Sequence, residues 1–162
     1  MKASKFIFMI ICAVCVCFVS VKAQQSKNTQ IELQELTFNV PSMAATVERD
    51  LDNYIAEHKL DKNAFNYYVG VSSMQDKLYL DISMDKIFDD DRGIGEFDKY
   101  YIKNRKYIFF VYSVHPDIFS LKPNGKTMKH PLHRLCKLDG CIEFTYQING
   151  DSLKLVALHD KW

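Results

Sequence analysis

The sequence predicts an α+β fold in which one N-terminal amphipathic helix packs on a curved antiparallel sheet of five to six strands, in the order β-α-β-β-β-β-β. Three observations lead there. One stretch alone, 41–58, carries apolar residues at helical spacing; the later segments either alternate apolar and polar residues or are apolar throughout; and polar turn residues separate them as they do in hairpins. A helix with a single apolar stripe has to bury it, and with no second helix to pack on, the sheet is its partner.

Before the fold comes an export signal. Lys2 and Lys5 form a basic start, Phe6 to Val19 is an apolar run of 14 residues, and Val21-Lys22-Ala23 ends on the small-residue pattern that a signal peptidase accepts. At 1.5 Å per residue that run spans about 21 Å, short of the roughly 30 Å of a bilayer core, so a membrane anchor is the poorer reading. Residues 1–23 are therefore expected to be removed, with membrane contact only during export and a periplasmic or extracellular mature protein. Cys12, Cys15 and Cys17 would leave with the signal, and none follows the small residue that a lipid-modified cysteine needs. Residues 24–30 are polar and read as a flexible tether, leaving 31–162 as a single α+β domain. The signal holds three lysines and no acid. The mature chain thus has 18 basic against 20 acidic residues, a net charge of −2 that disfavours nucleic acid as a partner. With 48% hydrophobic and 25% charged residues, the composition excludes disorder as the state of the whole chain.

Each element has its own justification. In 31–40 the apolar residues switch from odd positions (Ile31, Leu33) to even ones (Leu36, Phe38, Val40), as in a strand with a bulge or break near Gln34-Glu35. Pro41-Ser42 ends it, and Ser42 reads as the helix N-cap. Met43, Val47, Leu51, Tyr54, Ile55 and His58 form the buried stripe. Tyr67–Ser73 and Leu78–Met84 flank a short polar turn as a half-buried hairpin. Tyr107 to Val114 is apolar on both parities, the mark of a strand covered on both faces and so of the sheet centre. Ile142, Phe144, Tyr146 and Ile148 alternate with polar residues up to Asn149-Gly150, which is expected to supply the positive φ angles of a tight turn before Leu153 to Leu158.

Candidate sites concentrate between Val114 and Ile142, the longest stretch without periodicity. His130, His133, Cys136 and Cys141 have the donor types of a zinc site, but they run through one short stretch instead of forming two separated pairs. A disulfide between Cys136 and Cys141 is the stronger expectation: Asp139-Gly140 supplies a turn between them, and an exported protein meets oxidising conditions. His115, Asp117, His130 and His133 are the candidate ligand-binding loop, and in the enzymatic alternative the site of a hydrolase. Asp89-Asp90-Asp91 with Gly93, Gly95 and Glu96 invites a calcium reading whose register fails at the glycine and final glutamate positions. Asp81 and Asp85 would matter to glycoside hydrolysis only if the fold paired them with another carboxylate. Lys99, Lys103, Arg105 and Lys106, interleaved with Tyr100, Tyr101 and Tyr107, read as a charged loop entering the central strand. His159-Asp160 lacks the nucleophile elbow that a triad would need.

No catalytic residue and no cofactor is predicted. The expected function is that of a small exported domain that binds a protein or a small ligand, without chemistry of its own. The alternatives are a secreted hydrolase with a His/Asp site in 115–135 and a metal-binding envelope protein built on His130, His133, Cys136 and Cys141.

Overall fold

The computed structural model describes residues 30–86, 99–131 and 141–160. The chain is α+β, with one α-helix and a mixed sheet of nine strands among the described residues. In chain order these are β1 (Gln30–Phe38), α1 (Pro41–Glu57), a 3-10 turn (Lys62–Ala64), β2 (Phe65–Met74), β3 (Lys77–Lys86), β4 (Tyr100–Lys103), β5 (Ile108–Val111), β6 (Phe119–Leu121), β7 (Thr127–Pro131), β8 (Cys141–Asn149) and β9 (Ser152–Asp160). Across the sheet they run β6-β1-β4-β5-β2-β3-β8-β9, with β7 also paired to β1.

Two expectations about the sheet are corrected. It has nine strands among the described residues instead of five or six, and it is not antiparallel throughout, because β4 pairs parallel to β1 and β5 parallel to β2. The cause is one insertion. The β4–β5 hairpin slots between β1 and β2, running parallel to each where they touch. Phe109 and Val111 join the helix-side core while Phe110 joins the opposite face. A strand apolar on both parities can fill any interior slot, so its pattern gave burial but not direction.

The parity switch in β1 has the same explanation and not a bulge. Its register with β4 is continuous, the break in antiparallel pairing at Glu35 comes from extra residues between β6 and β7, and β1 itself is covered on both faces. Leu36 and Phe38 face α1, whereas Leu33 packs with Tyr68, Tyr101 and Phe110 in a smaller cluster on the other side.

Helix α1 buries Met43, Val47, Leu51 and Tyr54 on the sheet. Burying each such side chain contributes roughly 1.5–3 kcal/mol. Its N-cap is Val40 with Pro41 in the first turn, and Ser42 instead donates its hydroxyl to the Asp151 carbonyl at 3.0 Å. At the other end Lys59 adopts a left-handed φ of 53°. Its N–H then reaches the Ala56 carbonyl and that of Leu60 reaches Ile55, a Schellman closure without glycine. The Tyr54 hydroxyl donates to Asp160 at 2.7 Å, so the helix is tied to the β8–β9 turn near its start and to the end of β9 near its finish.

The two-residue turns of the β2–β3 and β8–β9 hairpins differ from each other. Gln75 and Asp76 both have positive φ, a type I′ turn between the paired Met74 and Lys77. Between Asn149 and Ser152 only Gly150 has positive φ, the pattern of a type II′ turn, so Asn149 is the last strand residue and not part of the bend.

Candidate functional site

The aperiodic stretch after Val114 contains two strands among the described residues. β6 pairs with Phe38 to Leu36 and β7 with Gln34 to Gln30, so together they form one line along β1, interrupted by residues 122–126. The interruption sits over Glu35, which is 7% exposed. Its carboxylate accepts the Lys122 ammonium and, at 3.0 Å, the Lys126 N–H, while Tyr101 donates to the Lys126 carbonyl at 2.9 Å. Burial pushes this carboxyl up, but the Lys122 ammonium and the Lys126 N–H outweigh it and hold Glu35 below the usual carboxylate range. Glu35 is thus a staple for an excursion of the chain.

That pairing also spreads the candidate loop residues. His115 and Asp117 lie beside the Phe38 end of β1, where Asn39 bonds the carbonyls of Pro116 and Ile118. His130 pairs with Ile31 at the opposite end, seven residues away along β1, or about 23 Å at strand rise. His115 itself is occupied in its turn. Its Nδ1 accepts the Asp117 N–H at 3.3 Å and its carbonyl accepts from Ile118 and Phe119. His133 and Cys136 lie outside the described residues, as does the Asp89–Glu96 segment, so neither the four-donor zinc set nor the Cys136–Cys141 pair can be placed. Cys141 opens β8, buried and opposite Asp85.

The lysine and tyrosine run is architectural. Tyr107 donates to Asp52 of α1 at 2.7 Å and Lys106 pairs with the same carboxylate, fixing the β4–β5 turn to the helix. Tyr101 is buried in the smaller cluster.

Two surfaces emerge that the sequence placed poorly. The first is the sheet face opposite α1. Ser83 pairs with Glu143, Asp81 with Thr145 and Asp85 with Cys141, so Glu143 lies diagonally beside both aspartates on one face. Diagonal neighbours are about 7–8 Å apart. Asp81 accepts the Ser72 hydroxyl at 2.7 Å, and Asp85 is pushed up to about 6 by burial and by the charge of Glu143. Tyr112 lies over Gly70, where a Cβ would come within 2.3 Å of its ring. Burial, and then the charges of Asp81, Glu143 and Asp85, raise its hydroxyl well above the usual value. The β3–β8 register thus brings Glu143 beside Asp81 and Asp85 on one face, and its charge acts on Asp85. A cleft of about 500 Å³ lies elsewhere, between the β2–β3 and β8–β9 turns and the start of α1, lined among others by Met43, Leu78, Ile118 and Ile148. Lys77 at that end and Asp85 are eight residues apart on β3, about 26 Å.

The second surface is β9. Among the described residues it has a neighbour on one side only, and Leu155, Val156 and Leu158 are 42%, 45% and 43% exposed along it. Its register with β8 slips between Thr145 and Tyr146, leaving Val156 as the extra residue. His159 sits opposite Glu143, and Asp160 is taken by Tyr54. Comparison of the chain with protein-family models, with curated proteins and with solved structures finds no match.

Proposed function

We propose that this chain is a non-catalytic binding domain that works outside the cytoplasm after residues 1–23 are removed, and that it binds a protein partner by adding an extended strand to the β9 edge. The observation that carries the reading is the edge itself: among the described residues, nine residues with a row of main-chain groups on the outer side and three exposed apolar side chains in its middle. Edge strands are usually blunted by charge, proline, bulges or cover, because open main-chain groups and apolar residues invite another strand, and β9 carries the extra residue Val156 and one lysine, Lys154. β9 keeps its apolar centre, and strand addition is the recognition mode that uses such an edge. A binding role draws support from the separation of groups, the three acids lying on a sheet face and the cleft at the far end of β3.

The test is a heteronuclear NMR titration of the exported chain with a synthetic peptide of alternating valine and threonine, matched in length to β9. Shifts concentrated on Ser152 to Asp160 and their β8 partners are expected. Shifts confined to the Asp81–Glu143 face or to the cleft, or no shifts at millimolar peptide, would overturn the reading.

A further inference from the structure

We infer that the strand taken up by β9 is β9 of a second copy of this chain, forming a twofold dimer with one sheet continuous across both; the inference rests on the edge-binding reading above. The β8–β9 register assigns the faces. Leu153, Leu155, Leu158 and Asp160 stand opposite Ile148, Tyr146, Phe144 and Ile142 on the helix side, while Lys154, Ala157 and His159 stand opposite Gln147, Thr145 and Glu143 on the other. In an antiparallel pair, residues directly opposite share a face.

A twofold axis between Val156 and Ala157 keeps like faces together along the strand, despite the extra residue. Leu155 of one copy then meets Leu158 of the other, twice by symmetry, so the exposed leucines become one apolar cluster on the helix side. Val156 and Ala157 meet at the axis, where the small alanine leaves room. On the opposite face Lys154 stands across from His159 of the other copy, with Glu143 on the next strand and the Asp81 and Asp85 carboxylates beyond it. The lysine is thereby aimed at a row of acids, again twice. An isologous contact needs self-complementarity within one patch; here it rests on the two Leu155–Leu158 pairs and on Lys154 facing the acids beyond His159, while Leu153 stands across from Asp160, whose carboxylate is already held by Tyr54.

Sedimentation velocity on the exported chain across the micromolar range tests it. The wild-type chain is expected to dissociate from dimer to monomer on dilution. Leu158→Lys, at an exposed position, should weaken the dimer by about tenfold or more, the effect of one lost central anchor. Lys154→Glu and Glu143→Lys should each weaken it and the two together should restore it, a rescue that simple structural damage would not produce. Thermal unfolding of each variant confirms that it is folded. A dimer indifferent to Leu158→Lys and to the charge reversals overturns the inference. So does a chain that stays monomeric at every concentration: if the valine–threonine peptide still shifts β9, the edge reading survives alone, and if it does not, both fall.

Discussion

Replacing Glu35 tests how the chain tolerates a five-residue excursion over the edge of β1. The carboxylate is buried and accepts one backbone N–H and one ammonium, whose lysine is 44% exposed. A buried hydrogen bond to a charged group contributes about 1.5–3 kcal/mol, and a half-exposed ion pair adds about 1 kcal/mol or less. Glu35→Ala is therefore expected to cost about 2–4 kcal/mol in urea unfolding at pH 7. Glu35→Gln keeps an acceptor for the Lys126 N–H and should cost about 1–2 kcal/mol. Because folding lowers this carboxyl below its usual value, its contribution is complete above the unfolded value and is lost as pH falls through the folded one. The acid limb of the stability curve should thus flatten in Glu35→Gln. Hydrogen exchange in the Ala variant should rise first at Lys122 to Thr127. A Glu35→Ala chain within about 0.5 kcal/mol of the wild type, a typical surface substitution, would refute the staple.

Other expectations follow from single residues. Lys59 holds a left-handed conformation at the end of α1, so Lys59→Gly should stabilise the protein by about 0.5–1 kcal/mol in thermal or urea unfolding. Gln75 and Asp76 occupy a type I′ turn that asparagine and glycine fit better; the double change Gln75→Asn, Asp76→Gly should raise the melting temperature by a few degrees. Asp85 is raised to about 6, so the folded state holds its proton where the unfolded state does not, and stability should fall as pH rises from about 4 to 6. Asp85→Asn should remove that fall and, discounted for partial exposure, gain about 1–2 kcal/mol at pH 8, measured by denaturant unfolding across pH.

Periodicity made some parts of this molecule legible and topology hid others. Met43, Val47, Leu51 and Tyr54 of the helical stripe and the alternation in 78–84 and 142–148 appear as expected, because side-chain burial repeats with the backbone period, whereas Ile55 is half-buried and His58, just past the helix end, is exposed. The helix cap was misplaced because proline in the first turn freed Ser42 to bond Asp151 across the fold. β6 and β7 carry too few residues each for alternation to show, and the excursion over Glu35 removes continuity between them. Parallel pairing leaves no mark on a strand buried on both faces, which is why β5 could be placed inside the sheet but not oriented. The placement of Glu143 beside Asp81 and Asp85 joins residues about sixty apart in the chain and depends on register, a quantity that alternation alone does not fix.

Amide hydrogen exchange resolved by residue, in dilute chain and in concentrated chain or chain saturated with the valine–threonine peptide, tests the central claim most directly. Outward amides of Ser152 to Asp160 are predicted to exchange freely in dilute solution and to become protected once a strand is added, with β6 and β7 unchanged. Protection that is the same in every condition, or that appears on the Asp81–Glu143 face instead, would contradict binding at the β9 edge.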